Sequence, residues 1–297
     1  MRRQKKEKKP ALILRVVRRY GWNPGRVASE ILEWVEVLVV AGILAFLVIS
    51  FVTVRMHVPT DSMYPTINGD RSALRADSFF VDKISYYFHD PKPGDIVVFW
   101  HTEAFFIKAV KGDSPAERAG VQSGQQIGYV NRERVYSTTE ADDLIASLPL
   151  GTRILLGLSG SAPLDLGEKQ PEIDSLANLG ITTRERRVRY VKRLIAVGGQ
   201  TVQIQGGDII VDGKKLEGER FDRYYYANLP GLQYGIEPTI VPEGKWFVLG
   251  DNSKDSFDSR YWGFVDERDF IGEPYLRVWP LPRFGPMNGY FGFHRGG

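Results

Sequence analysis

The chain has 297 residues, 43% hydrophobic and 25% charged, which suits one large folded domain or two small ones and excludes a disordered chain. It contains no cysteine, so disulfides, thiolate metal sites and cysteine nucleophiles are excluded. The four histidines (His57, His89, His101, His294) have no HxxxH or HxH spacing, and no metal or other cofactor is expected.

The net charge of +3 hides an asymmetry. Residues 1–26 carry ten Lys or Arg against one acid, Glu7, which leaves the remainder acidic on balance. A basic tail suits nucleic acid or an anionic membrane, and the next segment decides for the membrane. Residues 37–54, VLVVAGILAFLVISFVTV, are 18 positions without a charge. A helix of that length covers about 27 Å, close to a hydrocarbon core. A cleaved signal peptide would have a shorter apolar run followed by a small-x-small site, but Arg55-Met56-His57 follows here. The segment reads as a retained signal anchor, with residues 1–36 in the cytoplasm and everything after Arg55 outside. ALILRVVRR (11–19) suits the anionic inner leaflet. The implied partner is a lipid bilayer, and no nucleic acid is expected.

Directly beyond the anchor stands VPTDSMYPTINGD (58–70). Pro59, Pro65 and the pair Asn68-Gly69 exclude a regular helix or a central strand, so Ser62 sits on a constrained loop. That loop either leads out of the membrane or presents a nucleophile. Strand-like runs then dominate: Ser78–Ile84, Asp95–Trp100, Arg187–Val197, Thr201–Gln205, Asp208–Val211 and Lys245–Leu249, with Gly206-Gly207 as a hairpin turn. The expected fold is mostly β, an antiparallel sheet behind one N-terminal transmembrane helix.

Residues 111–135 differ. Ser114 can cap a short helix, Pro115 suits its first turn, Glu117 completes a capping box and Gly120 suits its end. The strand IGYV, a tight turn NRER, the helical stretch TTEADDLIASL and the strand RILLGL follow, and residues 159–186 look partly linker-like. The pattern "SPAxxAG" resembles the PDZ domain of bacterial envelope proteases, with departures at Gln125 and Arg132, and "NLGI" (178–181) would supply the carboxylate loop in permuted order.

A serine needs a base within reach, and without a well-placed histidine a lysine is the alternative. A lysine works as a base only when desolvation keeps it neutral. RYVKRLIAVGG (189–199) places Lys192 in an apolar strand, on the face of Leu194 and opposite Arg193. Spacing alone favours the reading of Lys192 as an exposed strand lysine.

Taken together, four blocks resemble type I signal peptidases, membrane-bound Ser-Lys proteases: PTDSMYPT (59–66), KPGDIVVF (92–99), YVKRLIAVGGQTV (190–202) and VLGDNSKDSFDSRYWGFV (248–265). The resemblance implies that Ser62 is the nucleophile and Lys192 the general base. It implies that Thr60 helps the Ser62 N–H form the oxyanion hole, that Ser256 orients Lys192, and that Asp258 and Arg260 form a supporting ion pair. Asp251 and Asn252 would be supports near the site, and Met63 a lining residue of the substrate pocket. Phe79, Phe80 and Trp262 are expected in the core. The sequence departs from the family pattern at Gly199, Gln200 and Ser253.

The organisation so implied is a basic cytoplasmic segment 1–36, an anchor 37–54, a catalytic domain in two parts (55–102 and 187–297), and between them a PDZ-like α+β insertion with its linker (103–186). The partners implied are signal peptides of exported preproteins, with a peptide ligand of the insertion as a further one. The location implied is the bacterial cytoplasmic membrane, crossed once, with the catalytic domain on the outer face. Two other readings stay open: a Ser-Lys protease dedicated to one secreted protein, and a membrane-anchored PDZ-type binding module without catalysis.

Overall fold

The structure is a computed structural model that describes residues 11–47, 53–88, 90–218, 221, 226 and 231–287. Helices α1 (Leu12–Arg19) and α2 (Arg26–Leu47) open it. The first N–H groups of a helix lack partners inside it. In α1 they are taken by Glu36 of α2, whose carboxylate accepts from Leu12 N at 3.0 Å and Ile13 N at 2.7 Å. No residue of α2 is buried. Among the described residues no helix is both long and apolar enough to cross a membrane. Of the expected anchor, residues 37–47 lie in α2 and residues 48–52 lie outside the described residues. Thr53 and Val54 correct its expected boundary: they open a strand and pair with Asp82 and Val81.

The strands in chain order are β1 (Thr53–His57), β2 (Ser78–Asp82), β3 (Ile96–Val110), β4 (Gln126–Val130), β5 (Glu133–Arg134), β6 (Arg153–Leu158), β7 (Leu164–Glu168) and β8 (Ile181–Val197). They continue with β9 (Thr201–Gln205), β10 (Asp208–Val211), β11 (Lys214–Lys215), β12 (Thr239–Ile240), β13 (Lys245–Leu249), β14 (Val265–Asp266), β15 (Phe270–Trp279) and β16 (Gly285–Pro286). Short helices α3 (Pro115–Arg118) and α4 (Thr138–Ser147) flank β4 and β5, and α5 (Ser259–Trp262) follows β13. The large sheet runs β1-β2-β15-β3-β4-β6-β7, with β8 and β13 branching from β3, and the small sheet runs β11-β10-β9-β12. The pairings are antiparallel, as the turn-separated runs predict.

One ribbon organises the molecule. β3 and β8 stay paired from Ile96↔Arg193 to Val110↔Ile181, with register shifts between Thr102 and Ala104 and between Ile107 and Ala109. On its far side β3 meets β15 near Phe99 and β4 near Phe105. The second edge of β8 is paired with β13 only from Arg193 onward. Both strands are longer than expected. The polar run ITTRER reads as linker by composition, yet its alternate residues stay exposed while the backbone pairs with β3. From Val191 to Ala196 every residue of β8 is buried, because this half is covered on both faces.

Phe105, Ile127, Ala141, Ile145, Leu156 and Leu179 belong to a separate apolar core between residues 105 and 181. Ser114 caps its helix as the sequence predicts, its Oγ accepting from Glu117 N at 3.2 Å, and Ser137, which the sequence reading did not single out, caps α4 by accepting from Glu140 N at 3.2 Å. The loop NLGI does not form an open cradle. Gly180 N donates to Ala177 O at 3.0 Å and Ile181 N to Leu176 O at 2.9 Å, so these amides are used within the loop. Phe79 and Trp262 are buried, and Phe80 is half-buried.

Candidate active site

The loop after β1 is pinned at several points. Residues Asp61–Met63 make one 3-10 turn, Asp61 Oδ1 accepts from Gly69 N at 3.1 Å, and Asp70 N donates to Val58 O at 3.1 Å. A Cβ on Gly69 would stand 1.7 Å from Thr60 O, so only glycine lets the loop close here. Asn252 holds the turn from the far end of the chain: its N–H donates to Ser62 O at 3.0 Å and its Nδ2 to Asp61 O at 3.1 Å. Ser62 is thereby fixed and 5% exposed. Thr60 Oγ1 lies 3.4 Å from Ser62 Oγ.

Lys192 reaches this hydroxyl from β8. It is 4% exposed, and its Nζ donates to Ser62 Oγ at 2.8 Å. Burial pushes the amine down to about 8, against the opposing pull of Asp258 and then Asp251. Among the described residues no carboxylate lies within ion-pair distance of Lys192 Nζ, and the ring of Tyr190 lies 5.2 Å from it. His101 is stacked between Tyr190 at 4.6 Å and Trp262 at 4.5 Å. Burial, and then the charge of Lys192, push it down to about 3, so it is an uncharged stacking group.

Two buried guanidinium–carboxylate pairs hold the strand ends around the dyad. Arg193, one residue on and on the opposite face, donates from Nε and Nη2 to Asp251 at 2.8 and 2.6 Å. Asp251 Oδ2 also accepts from Thr66 Oγ1 at 2.6 Å, which ties the loop of Ser62 to the same pair. Arg260 donates from Nε and Nη2 to Asp258 at 2.8 and 2.9 Å, and both residues are fully buried. Such bidentate pairs fix geometry as well as charge. Ser253, a departure from the family pattern, is part of this support: its Oγ and its carbonyl accept from Arg260 at 2.9 and 2.8 Å. Gln200, another departure, closes its turn by accepting from Val197 N at 3.0 Å and donating to Asp212 at 3.0 Å. Gly199, with φ at +82°, occupies a left-handed position in that turn.

Ser256 lines the same cleft as Ser62 and Lys192, and among the described residues its buried Oγ has no hydrogen-bond partner, Lys192 included. Gly250 makes room for it, since a Cβ there would stand 2.1 Å from Ser256 Oγ and 2.5 Å from Ser62 O. Met63 is corrected outright. The tight turn directs it away from the cleft into the core with Val58, Ile67, Phe79 and Val191, at 0% exposure. Sequence reasoning missed Arg193 as a partner of Asp251, and it missed Thr66. The signal for the first was a second basic residue inside an otherwise apolar strand.

A cleft of about 490 Å³ opens on the dyad. Met56, Val58 and Thr60 line one side, Val188 to Lys192 another, and Phe257 and Tyr261 a third. Among the described residues β1 is the terminal strand of its sheet and β8 has no second strand partner before Arg193. An extended peptide can therefore lie between two strand edges, with its carbonyl at Ser62.

Known proteins resemble the chain over most of its length. The family model described as signal peptidase, peptidase S26 matches residues 31–147 and 167–279. The chain is 26% identical over 259 residues to signal peptidase I of Leptolyngbya laminosa, covering 87% of this chain and 85% of that one. It is 29% identical to a probable signal peptidase I-1 of Synechocystis, covering 87% of each. It is 27% identical to signal peptidase I of Mycobacterium tuberculosis, covering 86% of this chain and 75% of that one. A crystal structure of a signal peptidase I from Enterococcus faecalis matches 30% of this chain and 84% of that chain at 34% identity, with a TM-score of 0.24. The chain belongs to the peptidase S26 family of signal peptidases.

Proposed function

We propose that this chain is a membrane-bound serine endopeptidase that removes N-terminal signal peptides from exported preproteins, with Ser62 as nucleophile and Lys192 as general base. The observation that carries the reading is the 2.8 Å contact between two buried groups, one of them an amine whose affinity for protons burial has lowered. A neutral Lys192 takes the proton of Ser62 as Oγ attacks the scissile carbonyl. The N–H of Ser62 lies in the first turn of a 3-10 segment, where such groups have no partner within the turn. That N–H and the Thr60 hydroxyl donate to the oxyanion. Lys192 then gives its proton to the leaving amine, and later takes one from the water that hydrolyses the ester to Ser62.

The exposed apolar face of α2, with Val37, Leu38 and Phe46 each more than half exposed, supports a single membrane span. The basic segment before it would stay in the cytoplasm, and the cleft would face outward close to the bilayer. Residues 103–186 are read as an inserted PDZ-like unit, supported by its own core and its two capped helices.

Cleavage of a preprotein by the full chain in detergent, beside Ser62→Ala, tests the function. The expected result is processed product from the wild type alone; a Ser62→Ala protein that still cleaves overturns the assignment.

A further inference from the structure

The aromatic wall of the cleft is held from outside, by a residue of the inserted unit. Tyr136 stands just before the cap of α4. Its backbone is fixed by a capping box, with Tyr136 N donating to Glu140 Oε2 at 2.7 Å while Ser137 Oγ accepts from Glu140 N at 3.2 Å. Its ring lies between two groups. The Arg134 guanidinium is 5.1 Å from the ring centroid, and the Phe257 ring is 6.1 Å away at 59°. Its hydroxyl donates to Tyr261 O at 3.2 Å. Burial pushes this phenol up, so it stays a donor. Phe257 and Tyr261, their rings 5.4 Å apart and tilted by 33°, are the two wall residues, and Phe257 is 39% exposed. Phe257 has solvent on one side, so its placement depends on what packs behind it.

We propose that Tyr136 is a positioning residue for substrate binding. Through Phe257 and Tyr261 it fixes the wall against which the extended peptide lies, so the inserted unit shapes the cleft of the peptidase. The proposal rests on the Ser62–Lys192 reading. It places no group of the insertion at the reacting atoms, so it acts on binding of the peptide and leaves the protonation of Lys192 unchanged.

The test is steady-state cleavage of a peptide with an Ala-x-Ala site by the full chain in detergent. Tyr136→Ala is expected to raise KM about tenfold, from loss of the aromatic contact and the hydrogen bond, with kcat held within about twofold. Tyr136→Phe keeps the ring and is expected to raise KM only about threefold. An unchanged KM in Tyr136→Ala overturns the proposal, as does a fall in kcat with KM unchanged. Should Tyr136→Ala fail to fold, Tyr136→Phe decides: a threefold rise supports the proposal and an unchanged KM overturns it. Ser62→Ala run alongside separates the two readings. Cleavage by it sinks the peptidase assignment, whereas an inactive Ser62→Ala with an unmoved Tyr136→Ala KM sinks this inference alone.

Discussion

Eight charged side chains are buried among the described residues, and seven of them (Asp77, Lys192, Arg193, Asp251, Asp258, Arg260 and Glu273) lie outside residues 103–186. The inserted unit holds one, Lys169, whose ammonium is turned to the carbonyl of Ile173. The core between residues 105 and 181 is mainly aliphatic, built on Ile127, Ile145, Ile154 and Leu156 with Phe105. The core around the dyad is organised by paired charges that fix directions, and within it one cation, Lys192, is given a hydroxyl instead of a carboxylate. Apolar packing specifies volume, whereas guanidinium–carboxylate pairs specify where strand ends and loops stand. The same strand shows both regimes: β8 alternates in exposure up to Tyr190 and is wholly buried from Val191 to Ala196.

The contrast breaks most visibly at Arg260. Arg260→Met leaves Asp258 buried without its partner and is expected to lower stability by about 3–5 kcal/mol, with loss of cleavage. Thermal unfolding that barely moves would show that the charged core is not what holds the site. In the insertion, Ile145→Ala is expected to cost about 2–4 kcal/mol by opening a cavity, while folded protein keeps its kcat. A folded Ile145→Ala enzyme with a collapsed kcat would mean that the two cores are not separable.

Lys192→Met sharpens the comparison from the other side. The folded amine titrates near 8, below its ordinary 10.5, so burial of the ammonium destabilises the fold. That penalty is absent above the unfolded value, grows as pH falls towards the folded one, and is complete below it. At neutral pH Lys192→Met is therefore expected to be inactive yet more stable, by about 1–3 kcal/mol. Denaturant unfolding at pH 7 and again above pH 10 checks this: the wild type should gain stability with pH and the variant should not. The smallest effect is expected at Ser256, whose hydroxyl has no partner to lose. Ser256→Ala should stay within about 0.5 kcal/mol in stability and about threefold in kcat/KM. A large loss in either would mean that Ser256 does bond Lys192 in the working enzyme.

Much of this was legible in the sequence where local rules decide. Thr201–Gln205, Asp208–Val211 and Lys245–Leu249 have the bounds that alternation and turns predict, and the cap of α3 stands where Ser114 places it. Tertiary pairing decided the rest. Ile181–Arg186 is a strand because β3 is opposite, which a polar string does not announce. Lys192 was legible as a lysine in an apolar strand, but Arg193 meets Asp251 across 58 positions of chain, and no spacing encodes that. Met63 failed for a local reason: proximity to Ser62 in sequence suggested the cleft, and one 3-10 turn sends the side chain the other way.

The dyad is tested most directly by the pH dependence of kcat/KM on a signal-peptide substrate, which reports groups of the free enzyme. Lys192 must be neutral to take the proton of Ser62, so activity should rise with pH along a single acid limb centred at about 8. A limb in the histidine or carboxylate range, or a flat profile across that region, would contradict the account.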